Sequence, residues 1–191
     1  MFRSELPDQS TAPQVHVEWK PFQIDPGTAL EGETFEAYCR RRWGGSGWTR
    51  HLRSEGAGDG AHFSNWKWWP NTLKAHQLVL FAEQRGVGSH ETNAAIFKAM
   101  YEEGKNVALT DVLVQIGVDE LNLPREELQQ YLENDVGADE VRREIQSGRR
   151  RYRISGVPFF VIGGGTGGTP YGLSGAQSPR TLLDVLKELA E

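Results

Sequence analysis

The stretch Ile154-Ser155-Gly156-Val157-Pro158-Phe159-Phe160-Val161-Ile162 places a proline immediately before a four-residue apolar run. Proline has no N–H to contribute to a ladder, so it belongs at the start or the edge of a strand. A tight entry of this kind is also where an X-Pro bond tolerates the cis form. A strand is therefore expected from Phe159, with function at the Val157–Pro158 corner. Beyond it, Gly163 to Gly168 is a glycine-rich connection to a second strand around Tyr171 to Leu173. The run lacks the Lys-Ser/Thr of a phosphate loop and precedes a strand rather than a helix, so it reads as a hairpin turn. Ser178-Pro179 opens a last helix, on which Leu182, Leu183, Val185, Leu186 and Leu189 form an apolar stripe.

Upstream, Val15, Val17 and Trp19 alternate with His16, Glu18 and Lys20, the period of a half-buried strand, which Pro21 and Pro26 end. A short helix is predicted over 33–42. Residues 43–60 are rich in Gly, Ser and Arg without periodicity and read as a surface loop or lid. From 71 to 153 the pattern is helical. Asn71 or Thr72 caps a helix carrying Leu73, Leu80 and Phe81, and a second starts near Ser89 with Ile96, Phe97, Met100 and Tyr101 on one face. Thr110 caps a third that ends at Gly117, and Pro124 sits in the first turn of a fourth, with Glu126 and Glu127 near its positive end. Val141, Ile145 and Tyr152 mark a fifth, leading to the proline corner. Trp66, Trp68 and Trp69 read as a hydrophobic anchor between subdomains in preference to an exposed contact site.

With 191 residues, 38% of them hydrophobic, the chain can bury one sizeable core. A net charge of -5 and a pI near 5.6 argue against a general nucleic-acid footprint. No run approaches the ~20 apolar residues of a membrane span. Cys39 is the only cysteine, so no intramolecular disulfide can form, and with no apolar signal segment after Met1 the expected compartment is the cytoplasm. His16, His51, His62 and His90 show no metal-ligand spacing, and neither a metal nor a cofactor is expected.

Four short motifs in order carry a resemblance: Trp19-Lys20-Pro21-Phe22-Gln23-Ile24-Asp25-Pro26, Asn71-Thr72 with Ala75-His76, Val157-Pro158 before Phe159 to Ile162, and Ser174-Gly175-Ala176-Gln177. Together they resemble the DsbA family of thioredoxin-like proteins, specifically its FrnE-like subgroup. The resemblance implies an α/β thioredoxin-like fold over 1–70 and 154–191, with a helical insertion subdomain over 71–153. The chain departs from the family in one respect. The family's Cys-x-x-Cys pair, at the end of a first strand that is central in its sheet, has no counterpart here, and Phe2 to Leu6 match at best the tail of the family's first helix. The chain is thus expected to be a truncated thiol-disulfide oxidoreductase, redox-inactive as it stands.

By the same resemblance, Val157 and Pro158 form a substrate corner with a cis peptide bond, where main-chain groups pair with an extended peptide. Ser174, Gly175, Ala176 and Gln177 start the loop into the last helix, either as an anion or carboxylate site or as a plain turn and cap. Asn71 and His76 are groove residues by resemblance; from the residues alone they read equally as a helix cap and a packed imidazole. Cys39, among Arg40, Arg41 and Arg42, reads as a buried core residue in preference to a single reactive thiol. The partner implied is a thiol- or disulfide-containing peptide or protein, with no nucleic acid and no membrane. Two alternatives stand beside the oxidoreductase: a non-catalytic peptide- or partner-binding protein, with a dimer as one way to supply the missing strand, and a glutathione-binding enzyme like the kappa-class transferases or 2-hydroxychromene-2-carboxylate isomerases.

Overall fold

The computed structural model describes residues 15–163 and 169–189. They divide into two compact units, residues 19–151 and residues 15–18 with 152–189. Residues 19–70, grouped by sequence with 154–191, belong to the same unit as the helices. The predicted glycine-run turn and the segment Phe2 to Leu6 lie outside the described residues, apart from Gly163.

In the larger unit, β1 (Glu33–Thr34) pairs antiparallel with β2 (Trp68–Trp69), a short ladder that sequence periodicity did not announce. Helix α1 (Phe35–Trp43) starts where Thr34 Oγ1 accepts from the N–H of Ala37, and it stops at Gly44, whose φ of 72° suits a residue without a Cβ. Then come α2 (Thr49–Gly58), α3 (Leu73–Glu83), α4 (Ser89–Phe97) continued by a π-helical turn over Lys98–Glu102, α5 (Thr110–Leu121), α6 (Arg125–Glu133) and α7 (Ala138–Tyr152). Leu78 and Phe81 of α3, Leu113 and Ile116 of α5, and Leu128 and Leu132 of α6 are fully buried against one another in one cluster. Each such side chain contributes about 1.5–3 kcal/mol on leaving water, so these three helices carry most of the stability.

Three sequence expectations change here. Among the described residues, 15–20 form no ladder, and Val15 and Val17 are exposed. Alternation supplies a two-faced segment, whereas a strand also needs a neighbour to take its N–H and C=O groups. Residues 43–60, expected to be irregular, contain α2; only its Thr49 is buried, so no apolar period marked the helix. Finally, α5 runs past Gly117 to Leu121. Gly117 is no stop signal but a close-approach point, since a Cβ there would overlap Leu128 of α6.

Two of the three tryptophans, Trp66 and Trp69, pack within the larger unit, and Trp68 lies in β2. The Trp66 ring lies 4.2 Å from Phe35 and 5.0 Å, edge-on, from Tyr101, while Trp69 stacks on Tyr38 at 3.7 Å. They join α1 to the turn after α4.

The smaller unit holds β3 (Phe159–Ile162) and β4 (Tyr171–Ser174), an antiparallel hairpin in the register Phe159 with Ser174 and Phe160 with Leu173. Helix α8 (Pro179–Glu188) follows, with Ser178 Oγ accepting from Thr181 N at 3.1 Å. Among the described residues from 152 to 189 none is buried. A lone hairpin is marginal in water, so stability resides in the larger unit.

The Gly117 contact yields a direct test. Gly117→Val is expected to lower unfolding stability by about 1–3 kcal/mol, through overpacking against Leu128. Urea denaturation followed by circular dichroism measures it, and an unchanged midpoint would contradict the packing described.

Candidate functional site

The sequence places the proline corner and the 174–177 loop sixteen residues and a turn apart, and the hairpin brings them together. The Gly175 N–H donates to the Pro158 carbonyl at 2.9 Å, extending the ladder one step beyond Phe159–Ser174. The Val157–Pro158 peptide bond is cis. Gly175 has φ 81°, and the Gln177 side-chain amide donates to the carbonyls of Ser174 (2.9 Å) and Gly175 (3.2 Å), which folds the loop back on itself. Ser178 then caps α8. Of the two readings of Ser174 to Gln177, the contacts displayed are those of a turn and cap.

The hairpin register decides which backbone groups are engaged. In an antiparallel pair, residues alternate between hydrogen-bonded and non-hydrogen-bonded positions. The Gly175–Pro158 bond makes 158/175 a hydrogen-bonded pair, and therefore also 160/173 and 162/171. Phe159 and Val161 consequently turn their N–H and C=O groups away from β4, and Val157 is next in that alternation. Among the described residues no strand pairs with this outer edge of β3. The side chains of Val157 and Val161 are exposed. Phe159 lies over Gly172, where a Cβ would come within 3.3 Å of its ring.

Asn71 and His76 lie in the other compact unit, where both hold the segment 22–28. Asn71 is buried. Its Oδ1 accepts from Gln23 Nε2 and from the Leu73 N–H, each at 3.1 Å, while its Nδ2 donates to the Thr28 carbonyl at 2.9 Å. His76 Nε2 lies 3.2 Å from the Phe22 carbonyl, which can only accept, so that nitrogen carries the proton. Burial pushes the imidazole pKa down, and the Phe22 hydrogen bond opposes this. Arg149 of α7 fastens the same segment, donating to the Gln23 carbonyl at 2.8 Å with its guanidinium over the Phe22 ring. The cap and packed-imidazole readings account for these contacts. Arg149 was not singled out by sequence, because a link to Gln23 across 126 positions has no local signature.

Cys39 is on α1 and buried. Burial pushes its thiol pKa up, and a contact with Trp48 opposes this only in part. Two of the three neighbouring cations are engaged elsewhere: Arg40 with Glu36 at 2.6 Å and Arg41 with Glu33 at 2.5 Å. The thiolate needed for attack is thus disfavoured. Among the described residues no group of three or more His, Cys, Asp or Glu is placed to hold a metal ion, and no helix is long and apolar enough to cross a membrane.

The depressed His76 pKa couples to stability. The unfolded chain takes up a proton near the ordinary value of 6.5, whereas the folded ring resists it. Stability is then complete above that value and falls as pH drops from it towards the folded pKa. The expected slope is at most about 1.4 kcal/mol per pH unit, and His76→Gln, which keeps a donor for Phe22, is expected to flatten it. Urea midpoints across this range measure both, and the same slope in the variant would contradict the assignment.

With the geometry in place, comparison with known proteins is informative. A family model for the DSBA-like thioredoxin domain matches residues 3–187. The uncharacterized protein YwbO of Bacillus subtilis is 26% identical over 151 residues, covering 78% of this chain and 72% of that protein. The crystal structure of a probable DsbA oxidoreductase from Streptomyces coelicolor superposes with a TM-score of 0.74 at 24% identity, over 88% of this chain and 72% of the other. The helices α1 to α7, the hairpin and the last helix are therefore those of a DsbA-like thioredoxin fold, and the chain belongs to the DSBA-like thioredoxin domain family.

Proposed function

We propose that this protein holds extended segments of thiol- or disulfide-containing polypeptides by strand addition along the outer edge of β3, starting at Val157–Pro158, without exchanging disulfides through its own cysteine. The observation that carries the proposal is the outward row of N–H and C=O groups at Phe159 and Val161, with Val157 next in line and no strand on that edge among the described residues. Main-chain pairing of this kind provides affinity, and alternate side chains provide selectivity. Here Val157 and Val161 are both exposed, so apolar residues of the client suit the edge. The class of client follows the chemistry of the family and of the Streptomyces neighbour, described as a probable oxidoreductase. The non-redox part rests on Cys39. A dithiol cycle needs a second thiol close to the first, and this single buried thiol has a raised pKa.

Val161→Pro separates the edge from the hairpin. Position 161 makes no ladder bond to β4, so proline there removes the outward N–H and leaves the hairpin pairs intact. With reduced insulin B chain, its thiols free, as probe, fluorescence anisotropy is expected to show roughly three- to tenfold weaker binding for the variant. Equal affinity would contradict strand addition. In a dithiothreitol-driven insulin-reduction assay the chain is expected to add nothing to the background rate; an acceleration abolished by Cys39→Ser would overturn the non-redox reading.

A further inference from the structure

In the larger unit, the end of α1 and the start of α2 present three large apolar side chains to solvent: Trp43 is 58% exposed, Trp48 44% and Leu52 40%. They are neighbours. The Trp43 and Trp48 rings are 6.4 Å apart, and Trp48 and Leu52 are four residues apart at the start of α2, on one helical face. The patch is anchored from beneath. Trp48 meets Trp66 edge-on at 6.0 Å and Phe35 at 6.4 Å, both buried, so its ring is held in place before any partner arrives. Gly44 and Gly45 have open space where a side chain would project, so the loop stands clear of its surroundings.

Within residues 40–53 the charge is of one sign, and Glu55, further along α2, pairs with His51. Residues 40–53 include five arginines and no Asp, Glu or Lys. Arg40 and Arg41 pair with Glu36 and Glu33, and Arg53 donates to the Phe63 carbonyl. Among the described residues Arg42 and Arg50 have no carboxylate partner, and Arg42 lies over the Trp43 ring at 5.1 Å. Two exposed tryptophans with arginine and leucine, free of lysine and acid, have the composition of the central part of a protein interface. A lipid surface is disfavoured because three apolar side chains give only marginal anchoring. A base-stacking platform is disfavoured too. The two tryptophan rings are tilted by 53°, and one face of Trp43 is taken by Arg42.

We infer that the Trp43–Trp48–Leu52 patch with Arg42 and Arg50 is a docking surface for a protein segment carrying carboxylates on either side of a bulky apolar residue. The apolar residue seats on the tryptophans and Leu52, and the carboxylates meet the two arginines. This surface is independent of the outer edge of β3.

The test uses the full chain and a fluorescein-labelled peptide, Glu-Asp-Glu-Leu-Phe-Glu-Asp-Glu, against a counterpart with lysine at every acidic position. Vesicles of phosphatidylserine and phosphatidylcholine and an oligodeoxythymidylate serve as further probes. Saturable binding of the acidic peptide is expected, weakening with salt and weakening roughly tenfold in each of Trp43→Ser, Leu52→Ser and Arg50→Glu. All three substitutions are at exposed positions, and unchanged circular-dichroism melting confirms that each variant folds. No saturable binding of the acidic peptide, equal binding of the lysine peptide, binding that all three variants leave intact, or variant-sensitive binding of vesicles or oligonucleotide in place of the peptide would each overturn the inference.

Discussion

One backbone hydrogen bond, from the Gly175 N–H to the Pro158 carbonyl, determines what the hairpin can offer. It fixes the parity of the ladder, and parity decides which residues of β3 face β4 and which face outward. A slip of one residue would turn Phe160 and Ile162 outward and bring Phe159 and Val161 into the pair. Several local features hold the present parity. Pro158 has no N–H, so its position in the pair works only through its carbonyl, which Gly175 satisfies. The positive φ of Gly175 and the two hydrogen bonds from Gln177 then turn the chain into the Ser178 cap of α8. Corner, loop and helix start thus act as one device.

The energetic weight lies elsewhere in the chain. The larger unit has its own core among α3, α5 and α6, and an aromatic series running from Tyr38 and Trp69 through Trp66 and Phe35 to Trp48 and Trp43 at the surface. Glu102 ties the segment before Trp66 into place, its two carboxylate oxygens accepting from the N–H groups of Phe63 and Ser64. Those donors, Ser64 foremost, hold the Glu102 carboxyl below the usual carboxylate range. The smaller unit has no buried residue among those described. A client strand added at β3 would turn a two-stranded ladder into a three-stranded one, which is where sheets begin to be stable in water. Binding there would therefore be linked to local stability in that unit.

How much of this the sequence displayed depended on whether the cause was local. Pro158 before an apolar run, Ser178-Pro179, Thr110, and Pro124 ahead of Glu126 and Glu127 each state their structural role within a few residues, and the hairpin, α8 and the starts of α5 and α6 were legible from them. Residues 15–20 misled because period two describes a two-faced segment whether or not a partner strand exists. Helix α2 was hidden because it buries only Thr49, and Gly117 was misread because its meaning depends on Leu128 of a different helix. Asn71 and His76 were singled out, but sequence could not show that their partners are Gln23, Thr28 and Phe22, about fifty positions away.

The central claim is that the outer edge of β3 receives a strand. Residue-resolved amide hydrogen exchange, with and without saturating reduced insulin B chain, tests it most directly. The account predicts added protection at the amides of Val157, Phe159 and Val161, and none beyond the unbound level at Phe160 and Ile162, whose N–H groups already bond to β4. Protection that ignores this alternation, or that falls outside the hairpin altogether, would contradict it.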